Sequence, residues 1–301
     1  MHSAAARQNN ISQRKLMKKA RQKRVNRSLG GNIVLFSIVA VLGVFMAFPM
    51  IYTVGNSLKP LDELWRFPPT MFPRNPTYKN FVDIFVLLQS SWVPVTRYIF
   101  NTVFITAVGT FGHVIIASMC AYPLAKYRFP GSKIIFSVIT LSLMFSTAVT
   151  SIPNYLIMVK LNWIDTYQAL IVPAFGSSLG LFLMKQFMEQ LPTALIEAAK
   201  IDGSSEWHLF WHIIMPNVKS AWLTLVVFSV QALWNTGANI FTYKEELKTL
   251  PYAISQIVSG GIARAGAGAA VTVILIIVPI VTFVITQRRI IETMASSGIK
   301  E

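Results

Sequence analysis

Apolar residues in this chain come in long, nearly unbroken runs, not in the alternating or three-to-four spacing of a water-soluble fold. Six runs are long enough for the about 20 helical residues that a hydrocarbon core requires. They cover 32–54, 98–124, 133–157, 167–188, 219–241 and 269–287. The pattern predicts an all-α membrane protein with six transmembrane helices. Polar residues inside the runs are few, and each costs free energy unless another helix or a wet cavity satisfies it. In the third run Ser142, Ser146, Thr150 and Asn154 recur every four residues, which places them on one face of a continuous helix. In the fifth, Thr224, Gln231 and Asn235 share a face, with Trp234 beside it. Thr150, Asn154, Gln231, Trp234 and Asn235 are therefore candidates for lining a substrate pathway, although Ser and Thr also bond their own helix backbone or join helices together. Gly176 and Gly180 form a GxxxG pair that points to close helix packing in the fourth run.

One polar stretch stands out between the fourth and fifth runs, Leu191 to Ser220, LPTALIEAAKIDGSSEWHLFWHIIMPNVKS. Pro192 suits a helix start, where its missing N–H has no partner, and Gly203 suits a helix end in the left-handed conformation. Ser204 or Ser205 then offers a new N-cap and Glu206 stands in the first turn. Trp207, Phe210, Trp211 and Ile214 follow at helical spacing until Pro216 closes the segment. The expectation is helix, tight turn, helix. Ala198 and Ala199 leave the first backbone approachable, and Glu197 and Asp202 offer charge-assisted hydrogen bonds around such a contact. From the residues alone this is either a docking knob or an amphipathic pair resting on a membrane surface.

Charge decides which side the stretch faces. The chain is 53% hydrophobic and 13% charged, with a formal net charge of +15 over 301 residues. Nine of its 27 Lys and Arg residues fall in the first 31 positions, with no acidic residue among them. A basic tail before an apolar run reads as a cytoplasmic anchor, so both termini and 189–218 are expected inside. The domains expected are a basic tail 1–31, a six-span body 32–290 and a C-terminal tail 291–301. No aromatic reading surface accompanies the basic tail, which argues against a nucleic-acid partner. The single Cys120 allows no internal disulfide, and no GxxxxGK[ST] phosphate loop is present. The histidines 2, 113, 208 and 212 have no metal-ligand spacing; HLFWH lacks the Glu of a zinc-protease motif. His113 has no mid-membrane carboxylate to partner it, which argues against proton coupling.

Glu197-Ala198-Ala199, Asp202-Gly203, Phe210, Ile213 and Pro216 stand at the spacing of the EAA loop, so the chain resembles the inner-membrane permease subunits of bacterial ABC importers. The resemblance runs from about residue 30 to the end. It is strongest to the carbohydrate-uptake group, similar to the smaller permease of the maltose transporter. FPPTMFPRNPTYKNF (67–81), AYPLAKYRFPG (121–131) and QRRIIETMASSGIK (287–300) carry it outside the loop. Ser204, Ser220, Pro123 and Glu292-Thr293 depart from the usual pattern. The resemblance implies a type I importer permease fold in a bacterial plasma membrane and no catalytic residue or cofactor on this chain. ATP and Mg would sit on partner ATPase subunits. Implied partners are a second permease, two ATP-binding subunits, an extracellular sugar-binding protein and the lipid bilayer. Glu197, Ala198, Ala199, Asp202, Gly203, Phe210 and Pro216 are the implied ATPase-coupling residues. An ion-coupled secondary transporter and a non-transporting scaffold are the competing readings; the first calls for intramembrane carboxylates or broken, duplicated helices.

Overall fold

The computed structural model describes residues 29–89, 93–237, 239–259, 261 and 264–297. The basic tail therefore lies outside the described residues, apart from its last three. The chain divides into two units, 1–52 and 53–301. The first contains most of helix α1 (Leu29–Ser57), which is apolar on all sides, as befits a helix meant for lipid or helical neighbours, with Phe48 and Tyr52 stacked 6.3 Å apart.

In the second unit come α2 (Leu61–Leu64), α3 (Lys79–Gln89) and α4 (Val95–Lys126), followed by α5 (Ser132–Ser142) and α6 (Thr147–Lys160). Next are α7 (Gln168–Phe175), α8 (Ser178–Glu189) and α9 (Thr193–Ile201). The rest is α10 (Glu206–Asn217), α11 (Lys219–Trp234), α12 (Leu250–Val258) and α13 (Ala265–Ser297). Helix α4 is the axis, with α7, α8 and α11 against it and α13 against α11. Its buried positions include Gly109, Ala117, Ser118 and Ala121, whose small side chains let other helices approach. A methyl group on Gly109 would strike Leu233 at 2.6 Å, and one on Gly112 would strike Phe175 at 2.1 Å.

Among the described residues four helical stretches are long and apolar enough to cross a membrane, α7 and α8 together (Gln168–Glu189) making one of them, or five if α10 and α11, bent by 79°, count as one span. The predicted third span, 133–157, is not one helix: it breaks at 143–146 into α5 and α6. Ser142 Oγ bonds back to the Ile139 carbonyl and meets Ser178 Oγ at 2.5 Å, while Ser146 takes an extended conformation as the N-cap of α6. Hydroxyls that offer the backbone a rival partner favour such a break. The fourth run is also interrupted, at Gly176 and Ser177, so Gly176 and Gly180 do not share one helix face. Gly180 alone makes the close approach, since a methyl there would lie 2.1 Å from His113 Nε2.

The fifth helix ends at Trp234, not 241. The Asn235 amide and Thr236 hydroxyl donate to the Gln231 and Ala232 carbonyls, satisfying last-turn acceptors that a longer helix would have used. At the other extreme, α13 runs on through Arg288 to Ser297 and takes most of the expected C-terminal tail into one helix.

The end of the bundle away from residues 189–218 is tied by polar side chains. Asn80 Nδ2 donates to the Ser57 and Lys59 carbonyls across Gly266, where any side chain would collide with it. Asn101 Nδ2 donates to the Glu246 and Lys248 carbonyls and its Oδ1 accepts from Tyr167. Lys248 is buried, its ammonium donating to the Thr242 carbonyl above the Tyr252 ring.

Candidate coupling surface and substrate pathway

Local chemistry builds the 191–218 hairpin as the sequence predicts, with one exception. Pro192 is the N-cap of α9, and Gly203 has φ +77°, the left-handed turn that only glycine adopts freely. Gly203 N–H donates to the Lys200 carbonyl and Ser204 N–H to that of Ala199, the paired bonds of a Schellman end. Ser205 is the N-cap of α10 and accepts from His208 N–H. The exception is Pro216, which does not close the segment. The helix passes through it to Asn217 and turns at Val218, after π-helical turns over Leu209–Ile214. A proline ring crowds the carbonyl four residues back, here His212, and the widened turns before it accommodate that strain.

The two faces of the hairpin differ. Ile196, Ala199, Leu209, Phe210 and Ile214 are buried with Met184, Met188 and Ala121 in the bundle core. Ala199 and Phe210, both expected at the docking contact, thus pack inward; the buried position of Ala199 allows α9 to lie close to the bundle. Glu197, Ala198, Asp202 and Gly203 are exposed, as is Pro216. So is Ile201, 86% exposed, which the motif spacing passed over although it stands three residues beyond Ala198 on the same face. Trp207 is exposed beside the turn.

A polar cluster that no sequence pattern indicated joins the hairpin to the end of α4. Glu206 Oε2 accepts from Tyr127 at 2.7 Å and Tyr122 at 3.0 Å, and Oε1 lies 2.8 Å from Lys200 Nζ. Lys200 also donates to the Tyr127 hydroxyl at 3.0 Å. The Lys200 and Tyr127 hydrogen bonds hold the Glu206 carboxyl below its usual range, and the Glu206 bond in turn holds the Lys200 ammonium above its own. Lys126 donates to the Leu191 and Glu189 carbonyls where the chain enters the hairpin.

The candidate pathway residues are more scattered. Because the third run breaks, Ser142 and Ser146 leave the stripe, and Thr150 and Asn154 remain one turn apart on α6, Asn154 exposed. Gln231 and Asn235 are exposed at the end of α11. Trp234 turns the other way: it is buried and its Nε1 donates to the Leu275 carbonyl of α13 at 3.1 Å, which makes it a strut between helices. Near the far end of α6 the Tyr155 hydroxyl meets that of Tyr243 at 3.2 Å. Asp165 Oδ1 accepts from the backbone N–H of Tyr243 and Lys244, and the Lys244 bond above all keeps its carboxyl below the usual range.

A groove of about 780 Å³ between α4, α11 and α13 has Trp211, Trp222, Phe111 and Val230 among its walls, with Thr106, Thr110 and Thr282 as its hydroxyls. It suits hydrocarbon better than a sugar. His113 shares a 2.7 Å hydrogen bond with Ser229. Among the described residues no group of three or more His, Cys, Asp or Glu is placed to hold a metal.

Residues 113–295 match the family of the binding-protein-dependent transport system inner membrane component. Protein LplC of Bacillus subtilis is 33% identical over 67% of this chain and 66% of its own length, so that match spans just under two thirds of the relative. The arabinooligosaccharides transport system permease protein AraQ of Halalkalibacterium halodurans is 28% identical over 88% of this chain and 94% of that protein. The sn-glycerol-3-phosphate transport system permease protein UgpE of Brucella suis is 27% identical over 89% and 95%. In fold, the chain is similar to a bacterial ABC transporter involved in the import of the acidic polysaccharide alginate, with a TM-score of 0.73 at 20% identity over 88% of this chain and 99% of that one. With the matched segment running from the middle of α4 through the hairpin into α13, this chain belongs to the family of binding-protein-dependent transport system inner membrane components, multi-pass proteins of the plasma membrane.

Proposed function

We propose that this chain is one permease subunit of an ATP-driven importer for a sugar or oligosaccharide, forming half of the translocation pathway and coupling to ATPase subunits through the 191–218 hairpin. The observation that carries this reading is the two-faced hairpin. Its apolar side is built into the bundle core, and its other side presents Ala198, Ile201, Asp202 and Gly203 to whatever lies beyond. An amphipathic pair resting on the membrane surface would turn its apolar side to lipid, whereas here that side is buried among the bundle helices. The substrate class is supported by relatives named for arabinooligosaccharide and lactose transport, with the glycerol phosphate permeases marking how wide the group is.

In this reading the chain crosses the membrane six times, α5 and α6 together making the third crossing, with both termini and the hairpin in the cytoplasm. Two ATP-binding subunits, carrying ATP and its Mg ion, dock on the hairpin, and a second permease completes the pathway. An extracellular binding protein delivers the sugar, as a neighbouring structure of an alginate transporter with its pentasaccharide-bound periplasmic protein suggests by fold alone. The ATPase-coupling surface consists of Glu197, Ala198, Asp202, Gly203 and Pro216, joined by Ile201, with the buried Ala199 and Phe210 shaping it from behind. Only contacts that differ between two states of the ATPase can move the spans. Thr150, Asn154, Gln231 and Asn235 are the polar groups offered to substrate.

The test is recovery of the tagged chain from bacterial membranes, followed by uptake of a panel of radiolabelled mono- and oligosaccharides and glycerol 3-phosphate in proteoliposomes. Co-purified ATPase subunits and uptake that requires ATP are expected. A chain that purifies without an ATPase, and uptake that follows an ion gradient instead, would overturn the reading.

A further inference from the structure

We propose that Glu206 is a positioning residue that locks the hairpin to the end of α4, so that displacement of the docking helix reaches the central helix of the bundle. This rests on the importer reading above and adds to it the route by which motion leaves the hairpin.

Two kinds of contact hold the hairpin. Its apolar face, Ile196, Ala199 and Phe210 among it, packs in the core, and such contact is strong but non-directional. It holds the hairpin down without fixing how far it slides. The Glu206 cluster supplies direction. Both carboxylate oxygens are used, Oε1 on Lys200 of α9 and Oε2 on Tyr122 and Tyr127. Lys200 and Glu206 lie on opposite sides of the Gly203 turn, so the ion pair closes the hairpin on itself. Tyr122 is one turn inside the end of α4 and Tyr127 is its C-cap, so the two hydroxyls tie that closed hairpin to α4.

The cluster is redundant at its hub. The Tyr127 hydroxyl meets Tyr122 at 3.2 Å and Lys200 at 3.0 Å, and the Lys200 ammonium lies 4.9 Å over the Tyr127 ring. Tyr122 also packs its ring on Phe210 at 5.7 Å, linking the polar tie to the apolar face. Lys126, between the two tyrosines, holds the Leu191 carbonyl at 2.5 Å and so fixes where the hairpin begins.

Exposure separates this role from a merely structural one. The Lys200 and Glu206 side chains are 43% and 57% exposed, and ion pairs in that setting contribute little to folding. A residue that added only stability here would be nearly dispensable. A residue that fixes register between two moving parts would be felt in coupling alone.

The experiment uses the complete complex in proteoliposomes, with a radiolabelled sugar that the wild-type complex transports, and reads sugar moved per ATP hydrolysed. Glu206→Ala is expected to assemble with its ATPase subunits and to keep hydrolysing ATP, while sugar moved per ATP falls about fivefold or more. Tyr127→Phe, which keeps the ring and removes the hub hydroxyl, should fall less. Glu206→Gln, still able to accept from both tyrosines, should recover part of the loss. An unchanged ratio in Glu206→Ala beside a coupled wild type overturns the lock and leaves the importer reading standing. Loss of ATPase subunits or of thermal stability in Glu206→Ala would also overturn it, by making the residue structural. A wild-type chain with no ATPase would remove both.

Discussion

The hairpin at 191–218 and the apolar run at 133–157 both place polar residues at helical intervals, yet the hairpin folds as its spacing predicts up to the π-helical turns before Pro216, while the run breaks in its middle. In the hairpin the decisive residues act locally. Pro192, Gly203 and Ser205 each fix one backbone conformation within a residue or two, whatever the rest of the chain does. In the third run the stripe from Ser142 to Asn154 assumed a property of the whole segment, an unbroken helix. That property fails when Ser142 and Ser146 find other partners and conformations. Punctuation carries its own structural cause, whereas periodicity borrows one from continuity.

The largest expected effect tests the punctuation. A side chain at Gly203 meets nothing within 4 Å, so space is not what excludes it; the left-handed backbone is. Gly203→Val should cost about 1–2 kcal/mol at that turn and abolish transport with the permease still inserted in the membrane. Gly203→Asn, which tolerates the left-handed region, should retain most uptake. Equal uptake for Val and glycine would break the contrast, because the turn would then not need its glycine.

A moderate effect tests the third run. Asn154→Ala on α6 should change uptake kinetics or sugar preference without altering ATPase recovery; unchanged kinetics would make α6 a lipid or subunit contact. Trp234→Phe is the control from the fifth run. It removes the hydrogen bond to the Leu275 carbonyl and should lower stability by about 1 kcal/mol with sugar preference unchanged. A shift in preference there would return Trp234 to the pathway.

Much of the site can be read from residue spacing. The turn at Gly203, the cap at Ser205 and the exposure of Ala198 and Asp202 follow from local rules. The inward burial of Ala199 and Phe210 does not, because a helix with apolar residues on two sides does not declare which side meets its own bundle. The Glu206 cluster was hidden for another reason. Its members are 84 positions apart from Tyr122 to Glu206 and only the fold brings them together. A hint existed in AYPLAKYRFPG, where two tyrosines flank a lysine at a helix end, but an interfacial aromatic belt leaves the same trace.

The smallest effect concerns pH and sharpens the same comparison, since the break at 143–146 holds no ionisable side chain while the hairpin lock depends on one. Lys200 and the Tyr127 and Tyr122 hydroxyls all favour the charged carboxylate of Glu206 and depress its pKa below the ordinary 4.5. The lock's contribution is then fully present above that ordinary value and is lost as pH falls through the lower value of the folded protein. The raised Lys200 agrees in sign, its contribution being present below its ordinary 10.5 and lost only as pH climbs past a still higher value. Sugar moved per ATP should therefore stay flat across the neutral range and drop only in acid below about 4.5, where Glu206→Gln should show no such drop from this source. A decline centred near neutral pH that vanishes in Glu206→Gln would mean the carboxyl is not held low, and that the lysine and tyrosines do not grip it as the structure has them.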